Sequence, residues 1–397
     1  MDRSLWTFRA LDRLFFRDGR PMSQGEMSWV ESQFPPTGRT LQGAIRTAVI
    51  RSQGESFDRF REKVSPLNPV LGDAGSLGAL KLTGPFLSRG GELLFPAPLD
   101  LLRAKEGGFA RLDVDLIAGV SCDLGQVCLP RAPGPGFKTL GDRYITKVAM
   151  ADYLAGDIGG LREPSGPKDG SGTVWRLYAE NPDGPGLVDR EQKIGLARDD
   201  GRRTADEGKL YSIAFCRPRT GVALSVLVEG LEDALHPPDS WVQPLGGEAK
   251  LAELEIQPVN GSVMPARPAL QPVGDTVRFR IVFTTPALFS TDGTSWLPPG
   301  FSRESGNGPE VWSGTLKWQE YELKLEVVSA CIGKPVKVGG WDLVNRKPRP
   351  LTCHLPAGSV LFCRAPAASL NQVEQLHDAK LGRGTEYGFG HTLIGTW

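Results

Sequence analysis

FPPTGRTLQGAIRTAV, residues 34–49, decides the reading of this chain. Two prolines end an extended run and turn the chain into a helix. Leu41, Ala44, Ile45, Ala48 and Val49 then recur at helical spacing on one face. Arg39, Gln42 and Arg46 fall on the other face, which gives a buried stripe backed by an outward pair of guanidinium groups. Gly43 sits mid-helix, where it costs about 1 kcal/mol against alanine, so a close approach to the backbone is expected there. An ordinary amphipathic helix with solvated arginines fits this segment equally well, and its context has to decide.

Upstream, residues 3–11 alternate, with Trp6, Phe8 and Ala10 on one face of a half-buried strand. The loop 14–26 follows, with an Asp-Gly turn between Arg17 and Arg20. A strand followed by a helix, with hairpins later, indicates an α+β protein rather than a doubly wound sheet. Residues from about 55 to 185 are poor in regular signals and rich in Gly/Pro clusters, interrupted by a short helical pattern at Lys147–Leu154. Within them, RAPGPGFKTLGDRYITK carries Arg131, Lys138, Arg143 and Lys147 against a lone Asp142. It reads either as an arm that contacts a polyanion or as a solvated insertion.

Strands resume at 191–228: a basic hairpin with Lys193 and Arg198 beside an Asp-Gly turn at 200–201, then the apolar run VALSVLV. The proline-rich stretch 258–275 marks a boundary. Beyond it Val277, Phe279, Ile281 and Phe283 alternate with Arg278 and Arg280. Further strands are expected at 323–332 and 359–363. A helix is expected over 369–382, with Ser369 and Gln372 as its capping box and Gly382 as its stop. A glycine-dense loop then opens into the terminal strand. Each half therefore starts on an alternating strand and ends helix, glycine loop, strand. The economical architecture is two ferredoxin-like βαββαβ domains with long insertions. These are 1–258 with an insertion at about 55–185, a linker at 259–275, and 276–397.

The chain has 397 residues, with 46 basic and 46 acidic side chains and a formal net charge of zero. Bulk charge thus announces no nucleic acid, and any polyanion site must come from local segregation. From Arg190 to Arg219 there are eight Lys/Arg against five Asp/Glu, whereas 229–255 is acidic. No apolar run approaches the roughly 20 residues that span a bilayer, and MDRSLWTF is not patterned as a signal peptide. A cytoplasmic protein with reduced thiols and no membrane association is expected.

Gly382, Gly384, Gly388 and Gly390 do not make a dinucleotide fingerprint, which needs a strand before it and a helix after it. They either let backbone approach a phosphate or a base, or mark a crowded turn with no ligand. No hydrolytic constellation is evident. His391, beside the glycine loop, is the one histidine near a plausible polyanion surface, as a general base for metal-free RNA cleavage or as a satisfied hydrogen-bonding group. The stacking aromatics of an RRM reader are missing from the central strands.

Six stretches together resemble one family: LFFRDGRPMSQGE, FPPTGRTLQGAIR, EQKIGLARDDGRRTADEGKLY, LGGEAKLAELE, GGWDLVNRKPRPLTCHLPAGSVLF and YGFGHTLIGTW. They are similar to the RAMP-type subunit of the type III-B CRISPR (Cmr) effector complex that holds the 5′ handle of the crRNA. The resemblance implies two RRM-like RAMP domains and a scaffold subunit for antiviral defence with no catalytic centre, cofactor or metal. The implied partners are the crRNA 5′ handle, the large polymerase-cyclase-like subunit and a neighbouring RAMP backbone subunit. On it, the expected RNA contacts are Arg17, Arg20, Arg39, Gln42, Arg46, Arg143, Lys147, Lys193, Arg198, Gly384, Gly388, Gly390 and His391. The alternative within the same superfamily is a metal-independent endoribonuclease that processes crRNA through His391. RKPRP departs from the family pattern, in which a lysine is expected between the prolines; here Lys347 and Arg349 flank Pro348.

Overall fold

The computed structural model describes residues 3–17, 28–73, 76–105, 107–115, 120–122, 125–141, 143–162, 175–179, 186–199, 201–202, 204–290, 295–304, 309–342 and 347–397. It divides into two compact units, and each is built from separated pieces of chain. The first unit comprises residues 1–91, 181–260 and 337–352, and the second 92–180, 261–336 and 353–397. In chain order the elements used below are β1 (Arg3–Ala10), β2 (Ser28–Glu31), α1 (Gly38–Ser52), β3 (Lys81–Arg89), β4 (Glu92–Pro96), β5 (Arg143–Thr146) and α2 (Lys147–Ala155). They continue with β6 (Val188–Asp199), β7 (Thr204–Pro218), β8 (Val222–Glu229), β9 (Trp241–Pro244), β10 (Leu251–Pro258), β11 (Thr276–Phe283), β12 (Val311–Trp318) and β13 (Tyr321–Cys331). The last are β14 (Trp341–Asp342), β15 (Lys347–Pro348), β16 (Val360–Pro366), α3 (Leu370–Glu374) and β17 (His391–Thr396).

The protein is α+β and dominated by strands. In the first unit the strands run β9-β10-β1-β8-β3, with every neighbour antiparallel. The period-2 pattern of β1 sets its faces: Trp6 and Phe8 are buried opposite Val226 and Leu224 on one side and Ile256 and Leu254 on the other. α1 covers that face, because Gln243, paired with Ala252, donates to the Ala44 carbonyl at 3.2 Å. Leu41, Ile45, Ala48 and Val49 are buried beneath it, as the sequence pattern requires. The opposite face is polar: Thr7, Ser225 and Ser88 share a row of hydroxyl hydrogen bonds, and Arg9 pairs with Glu255. Between β8 and β9 the chain forms the 3-10 turn Asp233–Leu235 and no α-helix.

In the second unit the strands run β12-β13-β16-β11-β17, again antiparallel. Val277, Phe279, Ile281 and Phe283 face one core with Leu361, Cys363, Val373 and Leu376. The helix expected over 369–382 is shorter, and its capping box is not formed: α3 ends at Glu374 and Ser369 makes no side-chain cap. Strand β17 takes over the groups that a longer helix would use. Thr392 Oγ1 donates to the carbonyls of Leu376 and Ala379, and the Ile394 N–H donates to His377 Nδ1 at 3.2 Å. His377 Nε2 in turn donates to the Pro265 carbonyl, and burial holds its imidazole below the usual range.

The stretch expected as a linker is packed. Met264 and Leu270 are buried, and Arg267 pairs with Glu374 at 2.6 Å. The expected insertion also changes allegiance, since 92–180 builds the second unit rather than the N-terminal one. The cause lies on the other face of β11, where Arg280 is 2% exposed instead of solvated. Its guanidinium reaches Asp100 at 3.4 Å, donates to the Leu112 carbonyl at 3.0 Å and lies over the Phe362 ring. Tyr153 of α2 donates its hydroxyl to Asp100, which is itself fully buried. Burial pushes the Asp100 carboxyl up, and Arg280 and Tyr153 pull it back. Gly395 of β17 admits α2, because a Cβ there would lie 3.2 Å from Leu154 Cδ2.

Removing one member of a buried pair strands the other, at a cost of about 3–5 kcal/mol. Asp100→Ala should therefore lower the melting transition sharply. The pair replacement Asp100→Leu with Arg280→Met should recover most of the loss. Differential scanning calorimetry of the three proteins checks this.

Candidate nucleic-acid interface

In the first unit the segment leading to α1 is tied to the base of a long hairpin. β6 and β7, of 12 and 15 residues, pair antiparallel, and β2 lies parallel to β7. At about 3.3 Å per residue the hairpin is roughly 40 Å long. Phe15, Val30, Ile213 and Phe215 form a small core at its base, with Arg13 over the Phe215 ring. The Leu14 N–H donates to Cys216 O at 2.6 Å, the Phe16 N–H to Ser32 Oγ at 2.8 Å, and Arg190 to the Ser32 carbonyl. Arg17, which bridges to Ser32, is exposed beside this junction.

Part of the hairpin's basic surplus is neutralised within the chain. Arg217 pairs with Glu191 and Asp12, and Arg219 with Asp189. The Arg217 hydrogen bond holds the Glu191 carboxyl below the usual range, and the Arg219 hydrogen bond does the same for Asp189. Farther out, Lys193 is exposed with Ile194 and Leu196. Tyr211 lies across from Gly195 so closely that a Cβ there would meet the phenol ring at 2.3 Å. Arg20 and the side chain of Arg198 lie outside the described residues.

α1 departs from its expected surface in one respect. Arg46 is not an outward group: it donates to the carbonyls of Asp73 at 3.2 Å and Ser76 at 2.7 Å. Gln42 is buried, with its amide turned to accept from the same guanidinium. The two side chains pin the 73–76 segment to the helix. A ridge at i, i+4 spacing runs through half-buried Arg39, exposed Gly43, half-buried Thr47 and exposed Arg51, and Thr47 donates to the Gly43 carbonyl at 2.8 Å. Nothing lies within 4 Å of where a Gly43 Cβ would be, so the approach expected there does not come from this chain's described residues. Arg51 is exposed above the Phe57 ring and escaped the sequence reading, because it lies one turn beyond the quoted stretch. The first turn of α1 contains Arg39 and no acid, and Thr37 gives no side-chain cap.

In the second unit Lys147 starts α2 and donates to the Ser262 carbonyl at 3.0 Å, while Arg143 is half-buried on β5. Steric demand within the chain accounts for two glycines of the C-terminal loop. A Cβ at Gly390 would lie 1.8 Å from the Leu381 carbonyl oxygen, and one at Gly382 2.5 Å from that of Leu288. Gly384 and Gly388 adopt left-handed conformations flanking the turn Thr385–Tyr387. His391 is fully buried, with Nδ1 on Thr284 Oγ1 and Nε2 on Asp378 at 2.8 Å. It lies inside the fold, not on the loop's surface. The acidic stretch 229–255 is partly neutralised in the first unit, where Glu229 pairs with Arg3 and Glu255 with Arg9.

Among the described residues no helix is long and apolar enough to cross a membrane, and no three His, Cys, Asp or Glu side chains cluster so as to hold a metal ion. A family model described as CRISPR-associated protein (Cas_Cmr3) matches residues 6–397. Among solved structures, the chain is similar to one in the cryo-EM structure of the type III-B Cmr-beta bound to cognate target RNA. That likeness has 14% identity and a TM-score of 0.45, and covers 94% of this chain and 89% of that one. It is also similar to a chain of the Csm3–Csm4 subcomplex of the type III-A interference complex, at 11% identity and a TM-score of 0.37, over 91% and 92% of the two chains. No curated protein matches it.

The ion pairs at the hairpin base carry a pH dependence of fixed sign. Carboxylates held low on folding contribute stability above their unfolded pKa of about 4, and lose it as pH falls through the depressed folded value. Hydrogen exchange, corrected for intrinsic rates, should show β6 and β7 amides near Asp189 and Glu191 losing protection between about pH 6 and pH 3. The double variant Arg217→Ala, Arg219→Ala should abolish most of that difference.

Proposed function

Because the chain belongs to the CRISPR-associated Cas_Cmr3 family and is a subunit of a type III-B effector, we propose that it grips the crRNA 5′ handle as a non-catalytic scaffold. The shared strand order supports reading each unit as a ferredoxin-like RAMP fold with one helix reduced. In the first unit β1 lies between β8 and β10, with β3 beyond β8; in the second β11 lies between β16 and β17, with β13 beyond β16.

The observation that carries the RNA reading is the i, i+4 ridge of α1. A helix-interior glycine costs about 0.5–1 kcal/mol, and Gly43 has no neighbour within its described surroundings that requires it. A ligand backbone lying across the ridge gives it a reason. Arg39 and Arg51, 12 residues apart and so about 18 Å along the axis, bracket that saddle with positive charge. The first turn supports the same sign, since a helix N-terminus with a basic residue and no acid favours an anion over a cation. Arg17 and Lys193 extend the cationic surface at and beyond the hairpin junction. Phosphates would be neutralised by these side chains, which makes affinity salt-dependent.

The large polymerase-cyclase-like subunit and a neighbouring RAMP subunit are the protein partners in this reading, with the rest of the acidic stretch 229–255 facing one of them. The burial of His391 favours a scaffold over a ribonuclease that would use it as its base. Chelator-treated protein should accordingly leave repeat RNA uncut, and site-specific cleavage lost on His391→Ala would overturn the scaffold reading.

The double variant Arg39→Glu, Arg51→Glu should weaken binding of a fluorescein-labelled 5′-handle RNA by at least tenfold at low salt. It should also flatten the plot of log affinity against log salt by roughly 1.4, at about 0.7 for each lost phosphate contact on a single strand. Gly43→Ala should raise thermal stability while it weakens binding; unchanged binding in both variants would count against the ridge. Fluorescence anisotropy across a salt series reads all of these.

A further inference from the structure

Among the described indoles Trp341 stands apart. It is 56% exposed, whereas Trp6 is fully buried and Trp318 is 5% exposed. It sits on the hairpin β14–β15, where it lies directly across from Pro348, and Asp342 lies across from Lys347. Gly340, at φ +131°, sets the entry to the hairpin, and the Arg349 N–H donates to its carbonyl at 2.9 Å. Directly opposed residues share a face, so Trp341 and Pro348 make one side and Lys347 projects to the other. Lys337, Lys347 and Arg349 are all exposed. In residues 337–352, Lys337, Arg346, Lys347 and Arg349 oppose Asp342 alone, four positive charges less one negative, or +3.

Two kinds of partner take up an exposed indole: a protein surface, or an unpaired base. A partner strand could add along β15, but that edge is poor in donors. The Arg349 N–H points inward to Gly340, so the outward positions on this strand are 348 and 350. Both are proline and have no N–H to donate. The faces offer a flat π surface in a segment of net positive charge. That combination suits a single-stranded nucleic acid, whose bases stack on aromatic rings while its phosphates meet Lys and Arg.

We propose that Trp341 is a base-stacking platform and that β14 and β15, with Arg349, are a contact for single-stranded RNA separate from the α1 ridge. The inference rests on the RNA-binding reading above and adds a residue and a mode of recognition to it. The base is held by stacking on the indole, with Lys347 and Arg349 on the neighbouring backbone.

The test uses the full chain and a short fluorescein-labelled single-stranded RNA, alongside the same RNA made abasic throughout. Stacking on one aromatic side chain contributes enough that its loss to alanine costs about tenfold in affinity. Trp341→Ala should therefore weaken the base-bearing RNA by about tenfold with an unchanged salt slope. Trp341→Phe should keep most of the affinity, and on the abasic RNA the alanine variant should match the parent. Lys347→Ala with Arg349→Ala should instead flatten the salt slope by roughly 1.4. Equal binding of the base-bearing RNA by Trp341→Ala and the parent overturns the proposal, as does an equal loss on both RNAs, which would mark a packing role. An indole needed for co-purification of a protein subunit but not for RNA affinity assigns the hairpin to a protein and overturns it too. If Arg39→Glu, Arg51→Glu weakens binding while Trp341→Ala does not, only this inference fails. If neither does, the RNA-binding reading fails with it.

Discussion

A guanidinium in a protein interior has to be met by a carboxylate and by hydrogen-bond acceptors, and Arg280 imposes that requirement on the whole second unit. It projects from the inner strand β11 on the face opposite Phe279 and Ile281, with almost no exposure. An isolated charge in such a place is prohibitively costly. Asp100, the Leu112 carbonyl and the Phe362 ring together meet it, and the first two come from the 92–180 segment. That segment is therefore part of the core rather than an ornament on it. Other features are consistent with the same need. Tyr153 buttresses Asp100, Arg111 donates to the Tyr153 carbonyl, and Trp397 closes over Phe362 and donates to Asp113.

The strands were legible because their period is short and their faces differ. Trp6 with Phe8, and Val277 through Phe283, alternate in sequence as they alternate in space. The allegiance of residues 92–180 was not legible for the converse reason. Arg280 reads as a solvent-facing residue in any pattern analysis, since sequence records a charge and not the carboxylate 180 residues away that neutralises it. The C-terminal helix failed similarly. Ser369 and Gln372 are a sound local signal for a cap, but β17 bonds to the backbone around Leu376 and Ala379, and tertiary pairing overrode local preference. The order of the strands depends on their alternating faces and not on the helices between them, which is why the layout was easier to read than its parts.

Glycine shows how one residue type carries opposite messages. At Gly390 and Gly382 a side chain would collide with backbone carbonyl oxygens, so the fold itself demands them. At Gly43 the neighbouring space is open, and the residue weakens a helix for no reason internal to its described surroundings. Sequence inspection had weighted the dense C-terminal cluster toward a ligand. Steric accounting moves that weight to the single glycine in the helix. His391 follows the same logic: its position next to the loop suggested access, but Thr284 and Asp378 enclose its ring.

A chain with no net charge can present a cationic surface only if some of its basic groups are held inward and others are not. Arg46, Arg190, Arg217, Arg219 and Arg280 all donate to carbonyls or carboxylates within the chain, with the planar fork that suits arginine to such sites. Their charge organises the fold: it pins 73–76 to α1, closes the hairpin base and buries the sheet face. Arg51, Lys193 and Lys347 are exposed, on a helix ridge and on two hairpins. The acidic stretch divides in the same manner, since Arg3 and Arg9 neutralise its two ends. Counting charges along the sequence gives zero, and a sliding window finds basic stretches without the acceptors that some of them meet. The partition that matters is between cations with internal acceptors and cations at the surface, and only side-chain geometry reveals it. For that reason the strongest candidates for contact, Arg51 and Trp341, were not the residues that motif spacing selected.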